Sequence, residues 1–233
     1  MSTLTLIRHG QATPFEKITD RLSPLGVQQS KRLGDYWRAQ GIVFHQIVCG
    51  SLTRHRQTLE ASGLRASGGA PLFDPGWNEY RADEILAKLS PALEAKDEHY
   101  AKLVAVNRAA MEGPERNRHF QRMLEVLMEA WLGGAIAAGG VETFDEFEAR
   151  VTKALRAIFE GVSGRDVAVI TSGGPIGLCV QRALNAPGKA FLDVNWRMRN
   201  TSITEFTFSS SRFTLDTLNG LPHLEDRGLW TWR

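Results

Sequence analysis

Cysteine is scarce in this chain: Cys49 and Cys179 are the only two among 233 residues. That excludes a disulfide framework and any paired-cysteine metal motif, and it points to a reducing cytoplasm. Excess charge is scarce too. Lysine and arginine total 28 against 26 aspartates and glutamates, a formal charge of +2 with no basic block. Nucleic-acid and membrane-surface binders carry a basic stripe that is missing here, so neither partner is expected, and any bound anion must meet arginines placed one by one. Long apolar runs are absent. No window approaches the roughly 18 apolar residues of a membrane span, and the segment Met1–Arg8 has no basic stretch leading into an apolar one, which argues against an export signal. What is present is ordinary globular material, 42% hydrophobic and 23% charged. A chain of this length buries roughly 70–75% of the surface its unfolded form exposes, enough for a sizeable core without metal or disulfide.

The hydrophobic pattern predicts repeated strand, loop and helix. Leu4 to Ile7 is a short buried strand stopped by Arg8-His9-Gly10. A polar stretch from Thr13 to Asp20 follows, then Ser23-Pro24 caps a helix that runs to Gly41. Phe44 to Cys49 is a second strand, broken by Gly50-Ser51 before a helix from Leu52 to about Ala61. Gly63 to Gly76 is read as loop, and Trp77-Asn78-Glu79-Tyr80 opens the next ordered stretch. Residues from Asp83 to about Leu132 are helical in tone, with breaks near Ser90-Pro91 and Gly113-Pro114 and no strand signal. They are read as a helical insertion or lid at about 83–132 within a single domain spanning 1–233, without a core of its own. Gly133 to Gly140 reads as a mobile loop. Thr143 and Glu146 form a capping-box pattern ahead of Phe147, Val151, Leu155, Ile158 and Phe159 on one helical face. Asp166 to Thr171 is a third strand, followed by Ser172-Gly173-Gly174-Pro175 and a helix to Leu184. Thr201 to Phe208 and Phe213 to Leu218 alternate as two strands joined by a Ser209–Ser211 turn.

Such a series implies an α/β fold, a three-layer α/β/α sandwich with a mainly parallel sheet and a helical insertion. Ligands of these sheets bind outside the carboxyl ends of the strands. The loops at Arg8 to Gly10, Gly50 to Arg54 and Ser172 to Gly174 should therefore border one crevice. The first offers an imidazole, His9, able to act as nucleophile or base. Beside it stand a cation, Arg8, that can fork onto an anion, and a glycine, Gly10, that permits close approach of a ligand. The second starts a helix whose free N–H groups favour an anion, and one of Arg54 and Arg56 is expected to face the crevice.

Three segments, Leu6-Ile7-Arg8-His9-Gly10-Gln11-Ala12, Leu22-Ser23-Pro24-Leu25-Gly26-Val27-Gln28 and Ser51-Leu52-Thr53-Arg54-His55-Arg56-Gln57-Thr58, closely resemble the successive motifs of the histidine phosphatase superfamily, which contains the cofactor-dependent phosphoglycerate mutases. The Glu79 region, Gly173-Gly174-Pro175-Ile176 and Asn200-Thr201-Ser202-Ile203-Thr204 also resemble their counterparts, so the likeness spans nearly the whole chain outside the insertion. It implies a phosphoglycerate mutase-like fold and a phosphomonoesterase that passes a phosphoryl group through a phosphohistidine. His9 would be the nucleophile, Arg8 and Arg54 would hold the phosphoryl oxygens, and Glu79 would serve as the acid. Gly10, Gln11 and Gly173 would line the substrate. The scheme needs no metal and no cofactor, only a small phosphorylated substrate. Arg8 and Arg54 are also expected to keep the His9 imidazole neutral.

One position departs from the family pattern. A second histidine is expected before the late glycines, where this chain has Ser172. A hydroxyl can donate one hydrogen bond to a phosphoryl oxygen but carries no charge. Three outcomes follow: a weaker enzyme, an enzyme whose substrate or lid supplies the missing cation, or a silent binder of phosphorylated ligands. Mutase activity ranks below hydrolysis. Arg108, Arg116, Arg118, His119 and Arg122 are assigned no role, since a helical run of charges is usually a solvated face. A nucleophile elbow at Ser172 is disfavoured because Ile170 stands where that turn needs glycine.

Overall fold

Two runs apolar at successive positions, in β1 (Ser2–Arg8) and β4 (Asp166–Thr171), bury both faces and pair in parallel in the middle of a six-stranded sheet. The other strands are β2 (Gln46–Cys49), β3 (Leu72–Phe73), β5 (Ile203–Phe208) and β6 (Phe213–Gly220), and the order is β3-β2-β4-β1-β5-β6. β1, β2, β3 and β4 are mutually parallel, β5 runs antiparallel beside β1, and β6 runs antiparallel beside β5 at the edge. The computed structural model describes residues 2–13, 20–161, 165–209 and 211–232. Six residues of the polar stretch expected after Thr13, 14–19, lie outside that range, as does Ser210 of the expected hairpin turn.

The chain divides into two units, Met1–Glu79 with Arg150–Arg233, and Tyr80–Ala149. In the first, strand alternation sorts the core into two layers. Ile7, Ile47, Cys49, Ala168, Ile170 and Ile203 pack with Leu33 and Trp37 of α1 (Pro24–Ala39) and with Leu59 of α2 (Thr53–Ser62). The alternate residues Leu4, Val167, Phe206 and Phe208 point the other way. There Phe159 of α7 (Phe144–Gly161) stacks on Phe208 at 4.8 Å. Each such fully buried side chain contributes about 1.5–3 kcal/mol relative to exposure. Helices on both faces make the expected three-layer α/β/α sandwich. α1 begins where the sequence predicts, with Ser23 accepting from the Gly26 N–H and Pro24 in the first turn. α8 (Gly173–Ala183) springs directly from β4 through Ser172.

The second unit is helical: α3 (Ala82–Glu84), a π-helical turn at Ile85–Leu89, α4 (Ser90–Glu94), α5 (Glu98–Ala109), α6 (Arg116–Leu132) and the start of α7. Ser90-Pro91 does not break the helix as expected. The preceding π turn offsets the bond ladder where the proline ring, lacking an N–H, would otherwise obstruct it. The break falls instead at Ala95–Asp97, where Asp97 accepts from Tyr100 N–H to cap α5. Tyr80, Trp131, Phe144 and Phe147 form an aromatic cluster inside this unit, with Trp131 donating to the Glu142 carbonyl. The capping box is present: Thr143 N–H donates to Glu146 at 2.8 Å and Glu146 N–H to Thr143 Oγ1 at 3.2 Å. No described helix is long and apolar enough to cross a membrane.

His223 makes a stability prediction. It is 7% exposed, its Nε2 lies 2.9 Å from Thr201 Oγ1, its Nδ1 has no partner among the described residues, and burial lowers its pKa to about 4. The unfolded chain binds the proton at about pH 6.5, so between these values the unfolded state holds more protons and stability rises with pH. The contribution is complete above about pH 6.5 and lost as pH falls toward 4, a change of roughly 3 kcal/mol. Denaturant midpoints at about pH 7 and about pH 4.5 should therefore differ less in His223→Gln than in the wild-type chain. An equal difference in both proteins would reject the assignment.

Candidate active site

The loops after β1, β2 and β4 meet at the carboxyl ends of their strands. His9 N–H donates to the Thr171 carbonyl at 2.9 Å, and Gly50 N–H to the Ile170 carbonyl at 2.9 Å. The His9 carbonyl accepts from Asn200 Nδ2 at 3.1 Å and from Thr201 N–H at 3.2 Å. Thr201 holds a φ of +57°, a strained conformation for a β-branched residue that costs on the order of 1–3 kcal/mol. Gly10 N–H donates to Thr58 Oγ1. The backbone around His9 is thus tied to β4, to α2 and to the loop before β5.

The imidazole is equally constrained. His9 is 6% exposed and its Nδ1 lies 2.7 Å from the Gly10 carbonyl, an acceptor only, so Nδ1 carries the proton. The lone pair is left on Nε2, where Arg54 Nε–H approaches at 3.2 Å. Burial, then Arg54, Arg8 and His55 in that order, hold the ring well below the ordinary imidazole pKa, against a smaller opposing effect of the Gly10 bond. Burial therefore outweighs either of the two arginines that the sequence singled out.

Arg54 faces His9 and is anchored by Asp20, whose Oδ1 is 2.8 Å from Arg54 Nη1 while Oδ2 accepts from Thr53 N–H. Arg56 turns away and lies over the Phe73 ring at 4.3 Å. Arg8 donates to the Met198 carbonyl. The Glu79 carboxylate accepts from the Gly174 N–H at 3.1 and 3.2 Å, at the N-terminus of α8. The preceding loop is clasped by Arg150, which donates to the carbonyls of Gly76, Asn78 and Glu79. Gln11 sits further out, accepting from Ser23 Oγ while its N–H donates to Gln29. Gly10 is explained by packing inside the chain: a Cβ there would lie 2.5 Å from the Gly26 carbonyl oxygen. Gly173 likewise packs against Asn195. Arg108 pairs with Glu94, and Arg118 with Glu115.

Ser172 is fully buried, and its Oγ lies 2.7 Å from Nε2 of His55, a residue of α2. Sequence reasoning assigned no role to His55, Asp20, Asn200 or Arg150, although His55 stands beside Arg54 and Asn200 lies in a segment that resembles the family.

The family model of the histidine phosphatase superfamily (branch 1) matches residues 4–130 and 80–220. The chain belongs to this superfamily. Among solved structures, a phosphoserine phosphatase mutant from Entamoeba histolytica in complex with phosphoserine is similar over 96% of this chain and 100% of its own, with 16% identity and a TM-score of 0.62. A phosphoglycerate mutase from Bacillus anthracis covers 95% and 94%, with 16% identity and a TM-score of 0.63. A mycobacterial glucosyl-3-phosphoglycerate phosphatase in complex with VO3 covers 94% and 98%, with 20% identity and a TM-score of 0.59. At such identities the likeness establishes the phosphoglycerate mutase-like fold. A search of curated proteins gives no match. Arg8, His9 and Ser172 stand at the carboxyl ends of β1 and β4, Arg54 in the first turn of the helix that follows β2, and Glu79 against the start of α8.

Proposed function

We propose that this histidine phosphatase hydrolyses a small phosphoester through a phosphohistidine at His9. The observation that carries the reading is the His9 ring itself: Nδ1–H is spent on the Gly10 carbonyl, so a neutral Nε2 lone pair is directed toward the Arg54 guanidinium. In the first step Nε2 attacks phosphorus, the P–O ester bond breaks, and the leaving oxygen takes a proton from the Glu79 carboxyl. Arg54 exchanges its contact with Nε2 for the phosphoryl oxygens, and Arg8 shares their charge. In the second step water attacks phosphorus, Glu79 accepts the water proton, and the N–P bond breaks to release phosphate and restore His9. The Gly173 N–H at the start of α8 suits the anionic end of a substrate, the neighbouring Gly174 N–H being held by Glu79. Burial pushes the free thiols of Cys49 and Cys179 up to about 12, so neither is a nucleophile, and a reducing, cytoplasmic setting rests on the scarcity of cysteine alone.

The test is a rapid-quench reaction with a labelled phosphoester. Label should appear on His9 as an acid-labile, alkali-stable adduct and pass to water faster than to an added alcohol or phosphoglycerate. Faster passage to phosphoglycerate would make the protein a mutase. Ser172 favours one competing reading, a silent phospho-ligand binder. Phosphate that competes for the site without turnover across a phosphoester panel would establish that reading instead.

Arg150 should matter through Glu79. Arg150→Met removes three bonds from a charged donor to the loop carrying the carboxylate, and misplacement by an ångström costs up to about 10²-fold in rate. The expected result is a fall in kcat of about tenfold or more with KM little changed. An unchanged kcat would show that the clasp does not position Glu79.

A further inference from the structure

Position 172 is the start of a helix, and its backbone is extended as a capping residue should be, at φ −122° and ψ 175°. A serine there normally accepts a backbone N–H of the first turn. Ser172 makes no such bond; its hydroxyl is turned onto His55 instead. The diversion is built in from both sides. His55 is fully buried, and its ring lies against Gly50, where a Cβ would stand 2.2 Å from Nδ1. The ring is also 5.6 Å from that of His9, centroid to centroid. Burial first and Arg54 second hold His55 well below the ordinary imidazole value, so it is neutral and carries one proton.

Which nitrogen holds that proton follows from the partners. Nδ1 has none among the described residues, while Nε2 touches the Ser172 oxygen. An orphaned buried N–H is rarer than an under-satisfied acceptor, so the proton belongs on Nε2 and the lone pair on Nδ1. His55 is then the donor and Ser172 the acceptor. A hydroxyl whose lone pair is engaged in this way must direct its own hydrogen elsewhere, and no second bond of Ser172 Oγ occurs among the described residues.

We propose that His55 is a positioning residue that makes Ser172 a one-way hydrogen-bond donor to the phosphoryl group bound beside His9. This rests on the hydrolytic reading above and deepens it: Ser172 acts as a phosphoryl contact because an imidazole from α2 occupies its oxygen and frees its hydrogen.

The experiment is a double-mutant cycle on para-nitrophenyl phosphate hydrolysis, with His9→Ala as the control. Ser172→Ala removes the donor and should lower kcat by about 10²-fold, the usual cost of one preorganised donor. His55→Leu should lower it by nearly as much, with KM changed much less, and the pair together should be little worse than either alone, because both remove one interaction. His55→Gln, whose amide N–H can reach the same oxygen, should stay within about tenfold of wild type. Additive losses, a His55→Leu loss below about threefold, or a glutamine variant as impaired as the leucine variant despite a wild-type melting curve would each overturn the proposal. Turnover that survives His9→Ala would overturn the phosphohistidine reading instead. If the wild-type chain turns over no phosphoester, the same cycle is read as orthovanadate affinity by calorimetry. There a non-additive loss supports the His55 to Ser172 coupling and an additive or absent loss refutes it.

Discussion

His9→Ala should reduce turnover of para-nitrophenyl phosphate by about 10⁴-fold or more, since loss of a covalent nucleophile leaves only binding and electrostatic stabilisation of the uncatalysed attack by water. The loss should fall on kcat. The groups that shape the site around His9 are backbone atoms: its N–H on Thr171, and its carbonyl under Asn200 and Thr201. Alanine keeps all of them, so phosphate and vanadate should still bind at the two arginines. The variant should also be less sensitive to acid. Native His9 is held neutral by burial and by neighbouring cations, whereas the unfolded chain protonates at about pH 6.5, so the native ring costs stability as pH falls below that value. Single-turnover kinetics with a labelled ester and unfolding curves at two pH values measure both effects. Residual activity within about tenfold of wild type would remove the phosphohistidine from the mechanism.

Local signals made most of the sheet legible. β1 and β4 are apolar on both faces and stop abruptly, and the β5–β6 hairpin alternates. α1 and α7 announce themselves by their caps at Ser23 and Thr143. Two elements escaped notice because they lack such signals. β3 is two exposed residues, Leu72 and Phe73, among glycines and prolines, and only pairing with β2 makes it a strand. α9 (Ala190–Arg197) has no side-chain cap at Lys189, and it is held by packing against α8. The same division runs through the site. Arg8 and His9 could be found because they end a buried strand, and Arg54 because it opens the next helix. His55 lies beside Arg54 in sequence, yet its meaning comes from Ser172, 117 residues away. Sequence reasoning treated Ser172 as the loss of a charge, leaving a weaker enzyme, a cation from substrate or lid, or a silent binder as the outcomes. What stands against Ser172 is an imidazole on α2, uncharged and hydrogen-bonded.

Arg54→Gln should show the second large effect, a fall in kcat of about 10²–10³-fold, because the guanidinium contributes both a directed donor at the reacting nitrogen and positive charge for the transferring phosphoryl group. Its Nε–H meets His9 Nε2 while Nη1 is held by Asp20, so the side chain is anchored before substrate arrives. The pH profile separates its two duties. Arg54 is the largest charge effect holding His9 neutral, second only to burial, so removing it moves the His9 pKa upward toward its ordinary value. The reactive form is the neutral ring, and its fraction at low pH then shrinks. The acid limb of kcat/KM should therefore shift to higher pH in Arg54→Gln, while Arg54→Lys, which keeps the charge but not the planar fork, should lose rate with much less shift. Burial remains in both variants, so the limb should stay below the free imidazole value of about 6.5. Profiles from about pH 4 to about pH 9 on the wild type and both variants decide the matter. A glutamine variant that loses rate without any movement of the limb would mean that the ionisation seen in the profile is not that of His9.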